Sequence, residues 1–421
     1  MEHQTAQRED FDFSLNERTA QIVMNDVMAI ETDEDELKTE SIEIPDLISP
    51  VLKPDFSLDG LRKLPEGRYR FIRSIGFGGM KTVTEVYDRD TGRNVAMASI
   101  PDAAERKHTH ILRFVREAFL TAKLEHPNIV PVHDIGIDST GVPYFTMKLL
   151  HGYTLARLIK KIRSGEPFFT QKYTEGRLLF IFMRICNAIG FAHSQKIIHL
   201  DLKPDNIYVG EFGEVLVIDW GLAKYFGEID TEEKDDPADL EQSSDSFSKK
   251  IKTQSGVVRG TPGYMSPEQA AGLNQNKDVR SDIYSLGAIL YTMLTLRRPF
   301  PGMNVEQILH ATVKGALIAP SQLDDLPRQI PAALEAIVMK AMHRNPDLRY
   351  QNVNELREDL FAYIGGYATT AESPGMLKKS AMFLLRNIYS VMFWVLLILL
   401  FGICVVMFWL FRSGVLEISL N

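Results

Sequence analysis

The hydrophobic periodicity of this chain changes once, near Leu155, and that change limits the fold more than any other feature. Residues 69–75, 82–87 and 94–100 are short and rich in β-branched and aromatic side chains. The turn signals Gly76-Phe77-Gly78-Gly79 and Asp90-Thr91-Gly92 separate them, as expected of neighbouring strands. Ile111, Val115, Ala118 and Ala122 then recur at helical spacing, and two more strand-like runs, 129–137 and 143–149, flank an Asp138-Ser139-Thr140-Gly141 turn. Beyond Leu155 the pattern is helical, with amphipathic stretches at 177–194, 282–296, 305–313, 331–342 and 353–362. A strand-rich lobe followed by a helix-rich lobe predicts an α+β, two-lobed architecture with a cleft between the lobes.

A second feature sits outside that core. Residues 388–411 contain no charged side chain and are apolar on every helical face. As a helix the run would rise about 36 Å, enough to cross a hydrocarbon layer of roughly 30 Å with some tilt. Lys378, Lys379 and Arg386 precede it and Arg412 alone follows closely, an asymmetry that places the preceding domain on the cytoplasmic side. Trp394 and Trp409 lie near its ends, where interfacial aromatics are favoured. The expectation is a juxtamembrane linker over 366–387, a single transmembrane helix over 388–411 and a short extracytoplasmic tail over 412–421, too short for a folded sensor. The N-terminus is polar and acidic, with no signal-peptide pattern.

The net charge of -8 argues against a nucleic-acid-binding protein, which would usually be basic. Much of the acid falls within 31–46 and 228–245, stretches without strong apolar periodicity that are expected to be flexible. Residues 1–65, with Pro45, Pro50 and Pro54, read as a largely disordered acidic leader. Cys186 and Cys404 sit in apolar contexts and suggest neither a disulfide nor a metal site, in keeping with a reducing cytoplasm.

The chemistry-bearing residues come in a fixed order. His199-Leu200-Asp201-Leu202-Lys203-Pro204-Asp205-Asn206 puts an acid, a lysine and an amide in one loop. Asp219-Trp220-Gly221 follows a strand-like 215–218, then come the run from Gly260-Thr261-Pro262 to Pro267-Glu268 and the segment Asp282-Ile283-Tyr284-Ser285-Leu286-Gly287. This order resembles the eukaryotic-type (Hanks-type) Ser/Thr protein kinase signature: glycine loop, catalytic loop, DFG and APE elements. Tyr264-Met265-Ser266-Pro267-Glu268-Gln269 and Arg297-Arg298-Pro299-Phe300 are similar to segments of bacterial membrane-bound members. The resemblance implies a kinase domain over 69–365, with an N-lobe (69–150) and a C-lobe (151–365), and an acidic insert (227–250) in the activation segment. It implies ATP and Mg²⁺ as cofactors and serine or threonine residues of proteins as substrates.

Residue by residue, the resemblance assigns Asp201 to orienting the substrate hydroxyl and accepting its proton, and Lys203 to neutralising the moving phosphoryl group. Asn206 and Asp219 would supply the hard oxygen ligands that Mg²⁺ prefers. Thr261 would contact the catalytic loop, and Glu268 would pair with Arg349. Nucleotide contacts would come from Gly76, Gly78 and Gly79, from Val83 and Ala96 as an apolar roof, and from the backbone of a hinge through Lys148, Leu149 and Leu150. Met147 would guard the back of the adenine pocket.

The pattern breaks on the third strand. Where such kinases carry V-A-x-K, this chain reads Val95-Ala96-Met97-Ala98, although the helix partner Glu117 remains. Either the chain is a pseudokinase acting as a scaffold or nucleotide-gated binder, or another cation fills the gap. Strand residues alternate faces, so Lys81 shares the cleft-facing side of Val83 and can reach the phosphates and Glu117. This is similar to the with-no-lysine kinases, which have Lys-Thr-Val after a shortened glycine loop. The intact Asp201, Lys203, Asn206 and Asp219 favour an active enzyme; a third reading makes the acidic leader the functional part. Leu200 stands where arginine usually precedes the catalytic acid, which puts activation through that arginine in doubt. Trp220 replaces phenylalanine, and Thr253 and Ser255 match positions of autophosphorylation in related kinases.

Overall fold

The computed structural model describes residues 61–65, 67–77, 81–100, 108–227, 251–253, 256–273, 277–326, 328–372 and 388–412. All of them lie in one of the chain's two compact units, Phe56–Asn421. The leader up to residue 60, the insert over 228–250, Gly78, Gly79, Ser255 and the tail over 413–421 fall outside the described residues.

The small lobe is one six-stranded sheet in the order β1-β5-β6-β4-β3-β2. Its strands are β1 (Arg62–Lys63), β2 (Tyr69–Phe77), β3 (Thr82–Asp88), β4 (Arg93–Ser99), β5 (Val132–Ile137) and β6 (Pro143–Met147). Helix α1 (His108–Lys123) packs on the sheet through Phe114, Val115 and Ala118, against Ala98 and Phe145. The strand expected over 129–137 begins only at Val132, because Pro131 has no N–H to give a ladder. Ile129 instead bridges Val217 of the large lobe.

The expected leader boundary at 65 is corrected. Arg62 and Lys63 pair parallel with Gly136 and Ile137, and Leu61 packs against the apolar cluster of the small lobe. Gly136 admits this strand: a Cβ there would lie 2.7 Å from the Arg62 carbonyl oxygen. Two residues cannot display an alternation, so sequence periodicity gives no sign of β1.

The large lobe is built on α4 (Glu175–Ser194) and α6 (Val279–Thr295), and every residue of α6 from Ser281 to Thr295 is buried. Around them stand α2 (Leu155–Arg163), α3 (Pro167–Lys172), α5 (Pro267–Ala270), α7 (Val305–Lys314), α8 (Ala332–Ala341) and α9 (Val353–Ile364). Side-chain caps start several of them: Thr154 for α2, Thr174 for α4 and Asp278 for α6 each accept an N–H of the first turn. Short strands line the cleft side. β7 (Gly152–Thr154), β9 (Ile207–Gly210) and β10 (Val215–Val217) form a three-stranded sheet, and β8 (Ile197–Ile198) pairs with β11 (Lys224–Tyr225). β12 (Ile251–Thr253) and β13 (Gly256–Val258) form a hairpin.

The domain also runs past the expected end at Gly365. Asp359 is 2 % exposed and accepts the Thr370 amide at 2.6 Å, the Thr370 hydroxyl at 2.8 Å, the Ala371 amide at 3.0 Å and the Tyr350 hydroxyl at 2.7 Å. Residues 366–372 therefore belong to the folded lobe rather than to a linker.

Beyond it, α10 (Ile388–Arg412) is one helix of 25 residues, which spans the apolar run. Over the described residues no helix is long and apolar enough to cross a membrane. The large apolar side chains described in α10, from Met392 to Trp409, are all exposed.

Candidate active site

The catalytic loop is set from below by a carboxylate in the first turn of α6. Asp282 is fully buried; its Oδ2 accepts the His199 amide at 2.8 Å and lies 2.8 Å from His193 Nε2, while its Oδ1 accepts the Leu200 amide at 2.9 Å. The Leu200 carbonyl accepts from Gln269 Nε2 at 2.8 Å. Leu200 has φ of 64°, a left-handed conformation costing an L residue about 1–2 kcal/mol. Hydrogen bonds at both of its peptide groups hold it there. The kink turns the chain so that Leu200 packs inward and Asp201 faces the cleft.

Asp201 is gripped on both oxygens. Thr261 Oγ1 donates to Oδ1 at 2.7 Å, and Lys203 Nζ lies 3.0 Å from Oδ2 and donates to Thr261 Oγ1 at 2.9 Å. Burial alone would depress the Lys203 ammonium, but the Asp201 carboxylate outweighs it and the pKa is raised. Asn206 spends its Nδ2 on the Asp201 carbonyl at 2.9 Å, which leaves its Oδ1 as the ligand-capable atom. The Ile218 amide donates to the Asn206 carbonyl at 2.9 Å, which ties Asn206 to the strand leading into Asp219.

The second half of the site joins the lobes. Lys81, the residue before β3, donates its ammonium to Asp219 Oδ1 at 2.7 Å and forms an ion pair with Glu117 Oε1 of α1. The Lys81 charge holds the Asp219 carboxyl down at about 2. Burial acts to lower the Lys81 pKa, yet the Asp219 and Glu117 carboxylates together raise it, so the ammonium is kept. Burial pushes Glu117 upward. A Cβ on Gly221 would stand 3.3 Å from Glu117 Oε2 and 3.5 Å from Asp219 Oδ1, so glycine lets this trio close up. Ala98 is fully buried, opposite Val83 and Phe145 in register, and adds only a methyl group to the apolar cluster.

Magnesium fits the donor set. Asn206 Oδ1 and the Asp219 carboxylate are hard oxygens carried just before β9 and just after its neighbour β10. No three His, Cys, Asp or Glu side chains gather around one point among the described residues. Asn206 and Asp219 would hold Mg²⁺ there, and the ion would supply positive charge against phosphate oxygens.

Of the expected nucleotide contacts, Gly76 is the next-to-last residue of β2, opposite Val83, Val83 is half-buried, and Ala96 is buried opposite Met147. In the hinge the Lys148 amide is already bonded to the Pro131 carbonyl at 3.2 Å, and its ammonium lies 3.2 Å from Glu214. Leu150 is half-buried two residues on. Glu268 and Arg349 form the expected pair, bidentate at 2.9 Å, with Ser281 Oγ donating to Glu268 Oε1 at 2.7 Å. Trp220 is buried against His199, ring centroids 4.6 Å apart. Thr253 ends β12, opposite Gly256 of the hairpin.

Two positioning residues carry no assigned role in the sequence. The signal for Gln269 was its Ser-x-x-Gln spacing from Ser266, a capping box that α5 forms. Asp282 stands out only as an acid inside a strongly apolar helix.

The model of the protein kinase domain family matches residues 69–361. Among curated proteins the chain is similar to the serine/threonine-protein kinase PknD of Chlamydia pneumoniae, 38 % identical over 328 residues, 76 % of this chain and 34 % of that protein. For PknD of Chlamydia trachomatis serovar D the figures are 37 % over 304 residues, 71 % of this chain and 32 % of the relative. For PknD of Protochlamydia amoebophila they are 37 % over 308 residues, 71 % and 30 %. The chain spans about a third of the length of the curated relatives it matches.

Proposed function

This chain belongs to the protein kinase domain family, and from that premise we propose that it transfers phosphate from ATP to serine or threonine of protein substrates. The observation that carries the reading is the Lys81 ammonium bound to both Asp219 and Glu117. A cation placed there can hold the triphosphate in the way the missing strand lysine would. Asp201 faces the cleft to orient the substrate hydroxyl and take its proton, while Lys203 and Thr261 fix its carboxylate. Lys203, kept charged, faces the developing negative charge on the phosphoryl oxygens. Mg²⁺, held by Asn206 and Asp219, would neutralise phosphate charge.

The same reading anchors the protein by α10 in the bacterial plasma membrane, single-pass, with the kinase domain in the cytoplasm. Support comes from the 25-residue length of α10, its exposed apolar side chains and the basic residues preceding it. Thr253 and Ser255 are the proposed autophosphorylation positions, checked by phosphopeptide mapping of the chain after incubation with ATP.

The test of activity is phosphate transfer by the full chain, with Mg²⁺ and labelled ATP, to a serine/threonine protein substrate. Wild type transfers label onto serine or threonine, and Asp201→Asn loses roughly 10²–10⁴-fold in rate with folding unchanged. No transfer by wild type under any metal or nucleotide condition would leave the scaffold reading in its place, to which Ala98 already lends the one supporting observation.

A further inference from the structure

We propose that the α2–α3 face of the large lobe is a membrane-contact surface that rests on anionic lipid headgroups. This rests on the anchoring reading of α10 and adds to it a second, electrostatic attachment.

The first observation concerns where the chain leaves the lobe. Tyr363, in the last turn of α9, donates to Glu175 Oε1 at the start of α4 at 3.0 Å, and Arg328 Nε lies 3.4 Å from Glu175 Oε2. The start of α4, and with it α3 just before, therefore adjoins the end of α9. Thr370 and Ala371 are fastened back to Asp359, midway along the same helix, and Thr369 bonds Glu372, so the folded lobe ends beside α9. Residues 373–387 then lead to α10, a reach of at most about 55 Å even when fully extended. A domain on so short a tether meets the bilayer surface continually.

The second observation is what this end displays. Leu155, Leu158 and Ile159 turn α2 inward, leaving Lys160 and Arg163 exposed. On α3, Phe168 is 62 % exposed, and the Lys172 ammonium stands 5.2 Å from its ring centre. The nearby acid Glu166 is neutralised by Lys161 at 2.7 Å, and Lys161 also sits over the buried Phe169 ring at 4.6 Å, joining the two helices. Lys160, Arg163 and Lys172 make no ion pair among the described residues. A chain of net charge -8 thus displays three basic groups without ion pairs on two consecutive helices, one of them beside an outward phenylalanine. Basic side chains for headgroup phosphates and an aromatic ring for the interface are the combination that anionic bilayers attract.

The test uses the full chain reconstituted in lipid nanodiscs, with a nitroxide on Phe168→Cys in a Cys404→Ser background. Collision with a water-soluble paramagnetic complex is measured in phosphatidylglycerol-rich and in purely zwitterionic bilayers. The proposal expects shielding of the label by on the order of threefold or more in the anionic bilayer only. It expects that shielding to vanish at high salt or in the charge-reversed Lys160→Glu/Arg163→Glu/Lys172→Glu variant. A label equally open to water in both bilayers would overturn it. So would equal shielding in both, which would mark a contact blind to lipid charge. Alkaline carbonate extraction of the same chain reads anchoring separately: release would end the α10 reading, while the label would still decide the headgroup contact.

Discussion

The two halves of the active site are held by different means. In the large lobe, Asp201 sits above a stack of buried polar groups: Asp282 and Gln269 fix both peptide groups of Leu200, and Thr261 and Lys203 fix the carboxylate. In the small lobe, Lys81, the cation proposed to hold the triphosphate, is one side chain, 25 % exposed, stationed by two carboxylates from different lobes. The first arrangement is over-determined and persists whatever the lobes do. The second exists only while α1 and the loop that carries Asp219 approach each other. On the proposed reading, a lysine moved from β4 to the start of β3 keeps the charge and has its placement set by contacts from both lobes. The same trio pins down Asp219, so the ion pair that positions the cation also keeps the Asp219 carboxylate ionised.

That contrast can be broken, beginning with the largest effect. Arg349→Ala strands Glu268, a carboxylate at the foot of the large lobe, and should cost about 3–5 kcal/mol in denaturant unfolding of the chain. A loss near zero would mean that this lobe is not held by buried pairing. Next, Asp282→Asn removes one of the two acceptors under the catalytic loop and should cost about 1–3 kcal/mol. It should lower kcat with little change in the KM for ATP, because the damage lies beneath Asp201 and not at Lys81. A change confined to KM would erase the distinction between the halves.

The smallest effect is acid sensitivity. Burial depresses His199 below its ordinary 6.5, so its contribution is complete above that value and is lost as pH falls through the folded-state pKa. Lys81 moves the other way: raised in the fold, its contribution is complete below 10.5 and fails only as pH rises through its folded-state value. Thermal midpoints should therefore decline from pH 8 to 5.5 in the wild type, less so in His199→Gln, and the Lys81 pairs should take no part. An unchanged slope in His199→Gln would remove His199 as the acid-sensitive group.

Much of this was legible before any coordinates. The lobes, the long helices and the grouping of Asp201, Lys203, Asn206, Thr261 and Asp219 followed from periodicity and from the resemblance. Strand alternation, with Val83 taken from the resemblance as a nucleotide contact, put Lys81 on the cleft side. What escaped was short or relational. β1 and β7 are too brief to show a period, and the extension to Glu372 depends on Asp359, whose partners Thr370 and Ala371 lie beyond the end of the helix. Gln269 and Asp282 act on backbone groups far away in sequence, which no local pattern announces.

The account turns on the ammonium at the start of β3, and the rate of phosphate transfer with Lys81→Met beside wild type and Lys148→Met tests it most directly. Lys81→Met should fall by roughly 10²–10³-fold, the cost of removing one preorganised charge donor. Lys148→Met, which removes an ammonium paired with Glu214, should stay within about twofold of wild type. Full activity in Lys81→Met would contradict the relocation outright.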